Sequence, residues 1–317
     1  MQRVLVTGAA GFIGSSLVPT LSSLADVRVL GVDIRPPTEP QAEFVQLDLR
    51  DTAALTALFQ SFQPTAVVHL ASIVTPPPGM SRAEMRDIDV GATETLVRLC
   101  LEFKVEHLTV TTSGASYGYY ADNPPWLDED TAIRGNVEFA YSDHKRQIEL
   151  FLAQTRASHP ELKLLILRPG TILGRQVANQ ITALFAKPFV LGVAGYDSPF
   201  TFIWDEDVVR VLVLGVQRQA TGVFNLAGDG ALTMREIAAQ LGKPYLPLPV
   251  WLLRTLLTVL HPLGLVQYGP EQVGFLQFRP VLANTRLKRD FAYTPQFTSA
   301  QAFAALLDAQ PNLKRPS

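Results

Sequence analysis

The sequence predicts an α/β fold: a doubly wound parallel sheet followed by a smaller, mainly helical C-terminal region. Three observations predict it. In the first half, short near-continuous apolar runs alternate with amphipathic stretches, as expected for strands covered by helices on both faces. A glycine turn joins the first apolar run to the first amphipathic one. After Gly170 the character changes, with frequent Pro and Gly and shorter elements.

In chain order, "RVLVTG" reads as a strand and "FIGSSLVPTLSSL" as a helix. "VRVLGVD" and "AEFVQLD" are the next two strands. "LRDTAALTALFQSF" is helical, and "TAVVHLAS" returns to the sheet. "RAEMRDIDVGATETLVRLCLEFK", residues 82–104, predicts one long helix. "VEHLTVTTS" is a strand, "FAYSDHKRQIELFLAQTRA" a helix and "LKLLILRP" a strand. Later, "FTFIWDEDVVRVLVLGVQ" and "GVFNLAG" read as strand, helix and strand, and the end of the chain is helical. This assigns residues 1–172 and 201–228 to the sheet domain, and 173–200 and 229–317 to a second region over its strand ends.

With 47% hydrophobic and 18% charged residues, the composition suits a globular chain of one or two domains. The net charge of −2 gives no electrostatic footprint for nucleic acid. Cys100 is the only cysteine and lies on an apolar face, which suits packing. The histidines are scattered, so no metal site is expected. "MQRVLVTGAAGFIG" has no long apolar run, so no signal peptide is read and a cytoplasmic location is expected. The most apolar stretch, residues 246–266, is interrupted by Pro249, Arg254, His261 and Pro262. That argues against a membrane span and for a buried or pocket-lining helix.

Gly8, Gly11 and Gly14 stand at i, i+3 and i+6 between strand and helix. Gly8 permits the tight turn, Gly11 lets backbone approach a pyrophosphate, and Gly14 lets the helix pack close to the sheet. The helix N-terminus offers free N–H groups and a positive dipole end to the anion. This is a Rossmann-type dinucleotide site. Asp33 closes the second strand, placed to accept hydrogen bonds from the adenosine ribose. A carboxylate there repels a 2′-phosphate and favours NAD over NADP, although Arg35 close by softens the preference. Asp48 is placed to accept from the adenine amino group, with Leu49 against the ring. The same stretch also serves as a helix start, with Asp51 or Thr52 as cap.

Tyr141 and Lys145, in "YSDHK", share a helix face at i and i+4. With the glycine turn, they make the chain resemble the extended short-chain dehydrogenase/reductases, the NAD-dependent epimerase/dehydratase family. The resemblance runs from residue 1 to about residue 228. "TGAAGFIG" is similar to the family's glycine motif and brings Phe12 and Ile13 to the cofactor. "HLAS" resembles the segment that lies along it, with Leu70 and Ala71. "TTSGASYG" places Ser113 at the catalytic hydroxyl position. "LRPGTILG" and "FIWDEDVV" match two later segments. The resemblance implies Ser113, Tyr141 and Lys145 as the catalytic set. Tyr141 moves the proton that accompanies hydride transfer, and Lys145 lowers the phenol pKa and holds the nicotinamide ribose. Ser113 steadies the substrate oxygen.

Several positions depart from the family pattern. Asp89 stands where an Asn is usual, and a carboxylate cannot donate as an amide does. Gly114 and Ala115 occupy the positions of the dehydratase acid pair, which argues against sugar dehydration. "DSPFTFIWDED" lacks the Arg with which nucleotide-sugar epimerases hold phosphate; Arg175 or Arg279 could replace it or be surface charges. Asn179 could match a substrate-contacting Asn. Tyr119, Tyr120 and Trp126 either wall the pocket or belong to a proline-pinned loop. Asp205 and Asp207 suit helix capping. The helices at 82–104 and around Tyr141 resemble the pair that forms a homodimer interface. The resulting expectation is an oxidoreductase using NAD on a secondary alcohol or ketone of a small, partly apolar molecule. The alternatives are a nucleotide-sugar epimerase and a non-catalytic NAD-binding redox sensor.

Overall fold

The computed structural model describes residues 1–39, 43–74, 76–77, 79–260, 269 and 273–314. Its strands are β1 (Gln2–Thr7), β2 (Val27–Asp33), β3 (Phe44–Gln46), β4 (Ala66–His69), β5 (His107–Thr111), β6 (Lys163–Pro169), β7 (Thr171–Leu173), β8 (Val190–Val193), β9 (Phe202–Trp204), β10 (Gly222–Leu226) and β11 (Tyr245–Leu248). The helices that build the sheet layers are α1 (Gly14–Ser22), α2 (Thr52–Phe62), α3 (Arg82–Arg86), α4 (Ala92–Glu102) and α5 (Ala140–Ser158). After them come α6 (Gln180–Phe185), α7 (Asp205–Arg218), α8 (Met234–Leu241), α9 (Val250–Leu260), α10 (Val273–Gln277), α11 (Thr285–Arg289) and α12 (Ser299–Ala309).

Seven strands form one parallel sheet in the order β10-β6-β5-β4-β1-β2-β3. The chain steps outward from β1 to β3, then returns to β4 on the other side of β1. That reversal opens a crevice beyond the carboxyl ends of β1 and β4, where ligands bind in such sheets. One face of the sheet packs Leu5, Val67 and Leu108 against α2, α4 and α5. The other packs Val4, Val6 and Leu165 against α1 and α7. The doubly wound expectation therefore holds.

A third core lies under the C-terminal region. Phe202 stacks on Phe200 and on Phe303, with ring centroids 5.4 and 5.6 Å apart. Phe185 meets Phe303 edge-on at 5.3 Å. The region is mainly helical but also contains two short parallel pairs, β7 with β9 and β8 with β11. In β9 the side chains alternate between layers. Ile203 joins the core against the sheet, while Phe202 and Trp204 join the aromatic core.

The helix predicted over 82–104 is interrupted. Between α3 and α4 lies a π-helical turn, Asp87–Gly91, closed by the Ala92 N–H donating to the Asp87 carbonyl. Thr93 Oγ1 donates to the Asp89 carbonyl at 2.6 Å, and the Asp89 carboxylate turns inward. A π turn holds one extra residue and so aims a side chain that a regular helix would not. The apolar 246–266 segment also differs from expectation. α9 buries Leu253, but its outer face exposes Trp251 and Val259. Residues 261–266 lie outside the described residues. Among those described, no helix is long and apolar enough to cross a membrane.

Candidate active site

The glycine turn at the crevice is constrained on every side. Gly8 has φ +72°, and a Cβ there would lie 2.7 Å from the Ala71 nitrogen, so no side chain fits between the turn and the residues that follow β4. A Cβ on Gly14 would lie 2.1 Å from the Gly8 carbonyl oxygen. Gly11 N–H donates to that carbonyl at 3.0 Å. Asp33 is tied to the same turn: its Oδ2 accepts from Ala10 N–H at 3.0 Å. No side chain caps α1, which begins after Ile13, so its N-terminus faces the crevice uncapped. Phe12 is partly exposed at the rim. This cradle fits a dinucleotide pyrophosphate, and a side chain on Gly8 or Gly14 would collide with the backbone that forms it.

The adenine side is less open. Asp48 is paired with Arg50 through Nε at 3.0 Å, and Leu49 is buried in the core beside Val32 and Leu55. Asp51 rather than Thr52 is the cap of α2, accepting from Ala54 N–H at 3.0 Å. Leu70 packs against the sheet core, and its N–H donates to the Thr7 carbonyl at 3.1 Å.

Ser113, Tyr141 and Lys145 come together at the end of β5. Ser113 begins a 3₁₀ turn, Gly114–Tyr117, and its Oγ accepts from Ala115 N–H at 3.1 Å. Ser142 locks the start of α5 to that turn: its Oγ donates to the Ala115 carbonyl at 2.7 Å and accepts from Asn136 N–H at 3.0 Å. The lock brings Tyr141, half-buried at the crevice, beside the Ser113 side chain, whose hydroxyl favours the phenolate. Lys145 is buried one turn on. Its Nζ lies 5.6 Å from the Tyr141 ring centroid and 3.5 Å from the Thr111 carbonyl, to which it donates.

One electrostatic expectation is overturned. The Tyr141 pKa is pushed up to about 12, first by burial, with the Ser113 hydrogen bond opposing. Desolvation outweighs that opposing effect, with Tyr119 and Asp89 adding to it. The phenol is therefore set as a proton donor. Burial also lowers the Lys145 pKa, with Asp89 and Glu149 opposing.

Beneath these groups runs a buried polar chain whose proton directions can be deduced. Thr93 Oγ1 donates to the Asp89 carbonyl, so at 3.0 Å it accepts from His69 Nε2–H. His69 Nδ1 then accepts from Thr7 Oγ1 at 2.7 Å. Burial, with Lys145 nearby, depresses the His69 pKa to about 3, which keeps the ring neutral. The Asp89 carboxylate accepts from Ser72 Oγ and Ile73 N–H, both at 2.9 Å, and from His144 Nδ1 at 3.1 Å. Of this chain, Thr7, the "HLA" segment, Asp89 and Thr93 fall in stretches that match family motifs. His144 carries no signal of its own.

Facing Tyr141 is an aromatic wall. Tyr141 meets Phe139 at 6.0 Å, Phe139 meets Phe275 of α10 at 4.6 Å, and Tyr119 meets Phe275 at 4.8 Å. Of the three loop aromatics, only Tyr119 joins this wall. Tyr120 OH donates to the Gly135 carbonyl under the Arg134 guanidinium, and Trp126 is 47% exposed. Arg279 is not a surface charge. It is half-buried, its guanidinium 3.8 Å from the Phe200 ring centroid, and its Nε donates to Ser198 Oγ at 3.2 Å. Desolvation brings its pKa down to about 10, opposed by Tyr119. Arg175 is exposed. Asn179 caps α6, accepting from Ile181 and Thr182 N–H groups at 2.9 Å. Asp205 and Asp207 lie in the first turn of α7, and Asp207 accepts from Tyr293 OH. A Cβ on Gly114 would lie 3.0 Å from Leu282 Cδ1, so a larger residue at that dehydratase position would require Leu282 to move.

A model of the NAD dependent epimerase/dehydratase family matches residues 4–227. An uncharacterised protein of Mycobacterium tuberculosis (strain H37Rv) is 24% identical over 95% of this chain and 82% of its own. A UDP-glucose 4-epimerase of Mycolicibacterium smegmatis is 27% identical over 97% of this chain and 98% of its own. Among solved structures, the UDP-glucose 4-epimerase of Thermus thermophilus in complex with NAD is similar. It has a TM-score of 0.76 at 23% identity, covering 97% of this chain and 98% of that one.

Proposed function

Because the chain belongs to the NAD-dependent epimerase/dehydratase family, enzymes of the short-chain dehydrogenase/reductase type, we propose that it exchanges a hydride between NAD and a secondary alcohol or ketone. The substrate is a small, partly apolar molecule. The observation that carries this reading is the meeting of Ser113, Tyr141 and Lys145 beyond β5, with the Lys145 ammonium 5.6 Å from the Tyr141 ring centroid.

NAD, when bound, supplies the hydride acceptor or donor. Gly8, Gly11, Phe12, Ile13 and Gly14 offer backbone to its pyrophosphate, and Asp33 accepts from the adenosine ribose. Asp48, Leu49, Leu70 and Ala71 flank the cofactor, and Lys145 donates to the nicotinamide ribose. Tyr141 gives a proton to the developing alkoxide in reduction and takes it back in oxidation. Ser113 donates to the substrate oxygen. The Phe139, Phe275 and Tyr119 wall excludes water and selects an apolar body next to the reacting carbon. The proposal includes a homodimer through the outer faces of α4 and α5.

The test is NADH formation at 340 nm from NAD and a panel of secondary alcohols, with NADP in parallel. Net NADH from at least one alcohol, and less from NADP, is the expected result. NAD binding without turnover across alcohols, ketones and UDP-sugars would restore the redox-sensor reading.

Arg279 favours a second reading, a nucleotide-sugar epimerase. It is a desolvated cation facing Tyr119 and forms no ion pair with a carboxylate among the described residues. A desolvated guanidinium with no carboxylate beside it suits a phosphate. On this reading, UDP binds by calorimetry, Arg279→Met weakens it about tenfold or more, and UDP-glucose turns over with no net NADH.

A further inference from the structure

Asp89 and His144 form a buried carboxylate–imidazole pair, and His144 is the residue before Lys145 in α5. Asp89 is 2% exposed and His144 1% exposed. One carboxylate oxygen is held by Ser72 and Ile73, and the other faces His144 Nδ1. Nδ1 therefore carries the proton, and His144 Nε2 has no hydrogen-bond partner among the described residues. A buried ring with one nitrogen unsatisfied costs free energy. It is retained here with its other nitrogen spent wholly on orienting Asp89.

The charges around Lys145 show what Asp89 does. From α5 itself comes Glu149, but Arg168 takes both of its oxygens, at 2.8 and 2.9 Å. From β4 comes His69, which is neutral. Asp143 is paired with Arg82 and Arg146 at 2.8 and 2.7 Å. Tyr141 is a neutral phenol. Asp89 remains as the one anion in this group with no Lys or Arg partner of its own among the described residues. It acts on both reacting groups, favouring the ammonium of Lys145 and disfavouring the phenolate of Tyr141.

We propose that Asp89 is the counter-charge that keeps Lys145 an ammonium ion in a dry site, and that His144 aims Asp89 into that role. Both are positioning residues. The pair also ties the π turn to the turn of α5 that carries Lys145. The inference rests on the reading that Lys145 donates to the bound cofactor.

The test uses NADH itself, titrated by fluorescence as the pH is raised through loss of the Lys145 proton, and requires no substrate. Wild-type affinity is expected to fall about tenfold as Lys145 loses its proton, and Lys145→Met to show no such inflection. Removing a nearby negative charge makes an ammonium give up its proton more easily. Asp89→Asn is therefore expected to move the inflection down by about one pH unit. Asp89→Ser is the second neutral variant, read in the same way if the amide disturbs folding. His144→Asn, whose amide still donates to Asp89, should leave the inflection in place and bind NADH as wild type does. His144→Leu should bind about tenfold more weakly. Coincident inflections for wild type and both Asp89 variants would overturn the counter-charge. Equal binding by the two His144 variants would overturn the aiming role. An inflection that persists in Lys145→Met would instead overturn the reading beneath the proposal, and the proposal with it.

Discussion

Tyr141→Phe is expected to lower turnover by about 10²–10⁴-fold while NADH still binds with wild-type affinity. The substitution keeps the ring, its packing at 6.0 Å from Phe139 and the Lys145 contact at 5.6 Å. It removes only the oxygen, and with it the interaction with the Ser113 hydroxyl. The pH dependence adds a second signature. With the pKa pushed up to about 12, the phenol is protonated throughout the neutral range. Ketone reduction, which needs the acid form, is then flat with pH. Alcohol oxidation, which needs the phenolate, rises with pH. The rise of oxidation with pH should vanish in Tyr141→Phe. Unchanged turnover would reject the proton role.

The largest expected stability effect is at Glu149→Leu. Glu149 and Arg168 are 4% and 5% exposed, and they join α5 to β6 by two parallel hydrogen bonds. Thr112 Oγ1 donates to Glu149 at 2.6 Å, and Arg168 Nη1 donates to Tyr117 OH at 2.8 Å. Removing the carboxylate leaves a guanidinium in the interior without its counter-ion, at a cost of about 3–5 kcal/mol. Urea unfolding followed by circular dichroism measures it. The double variant Glu149→Leu with Arg168→Met should recover most of the loss, because a buried pair replaced by apolar groups is often neutral. A double variant as unstable as the single one would show that the network's hydrogen bonds, not the unpaired charge, carry the effect.

What could be read from the chain was local in sequence. Gly8, Gly11 and Gly14 announce a turn because the backbone conformation and close approaches there exclude side chains. Tyr141 and Lys145 are one helical turn apart by spacing alone. What could not be read joins distant segments. Asp89 meets His144 only because a π turn shifts the helix ladder, and the same sequence is compatible with an uninterrupted helix. Phe275 reaches Phe139 across most of the C-terminal region. The three- and four-residue strands β7, β8, β9 and β11 are too short for alternation to stand out. The sign of the Tyr141 shift was also missed, because spacing says how near a cation stands but not how deeply the oxygen is buried.

β9 has a mechanical consequence. Slipping it by one residue would thrust Phe202 and Trp204 toward the large sheet and drop Ile203 among the phenylalanines. Neither environment tolerates the exchange. This three-residue ribbon is therefore a key cut on both edges, and it indexes the C-terminal region against the nucleotide half at a single setting.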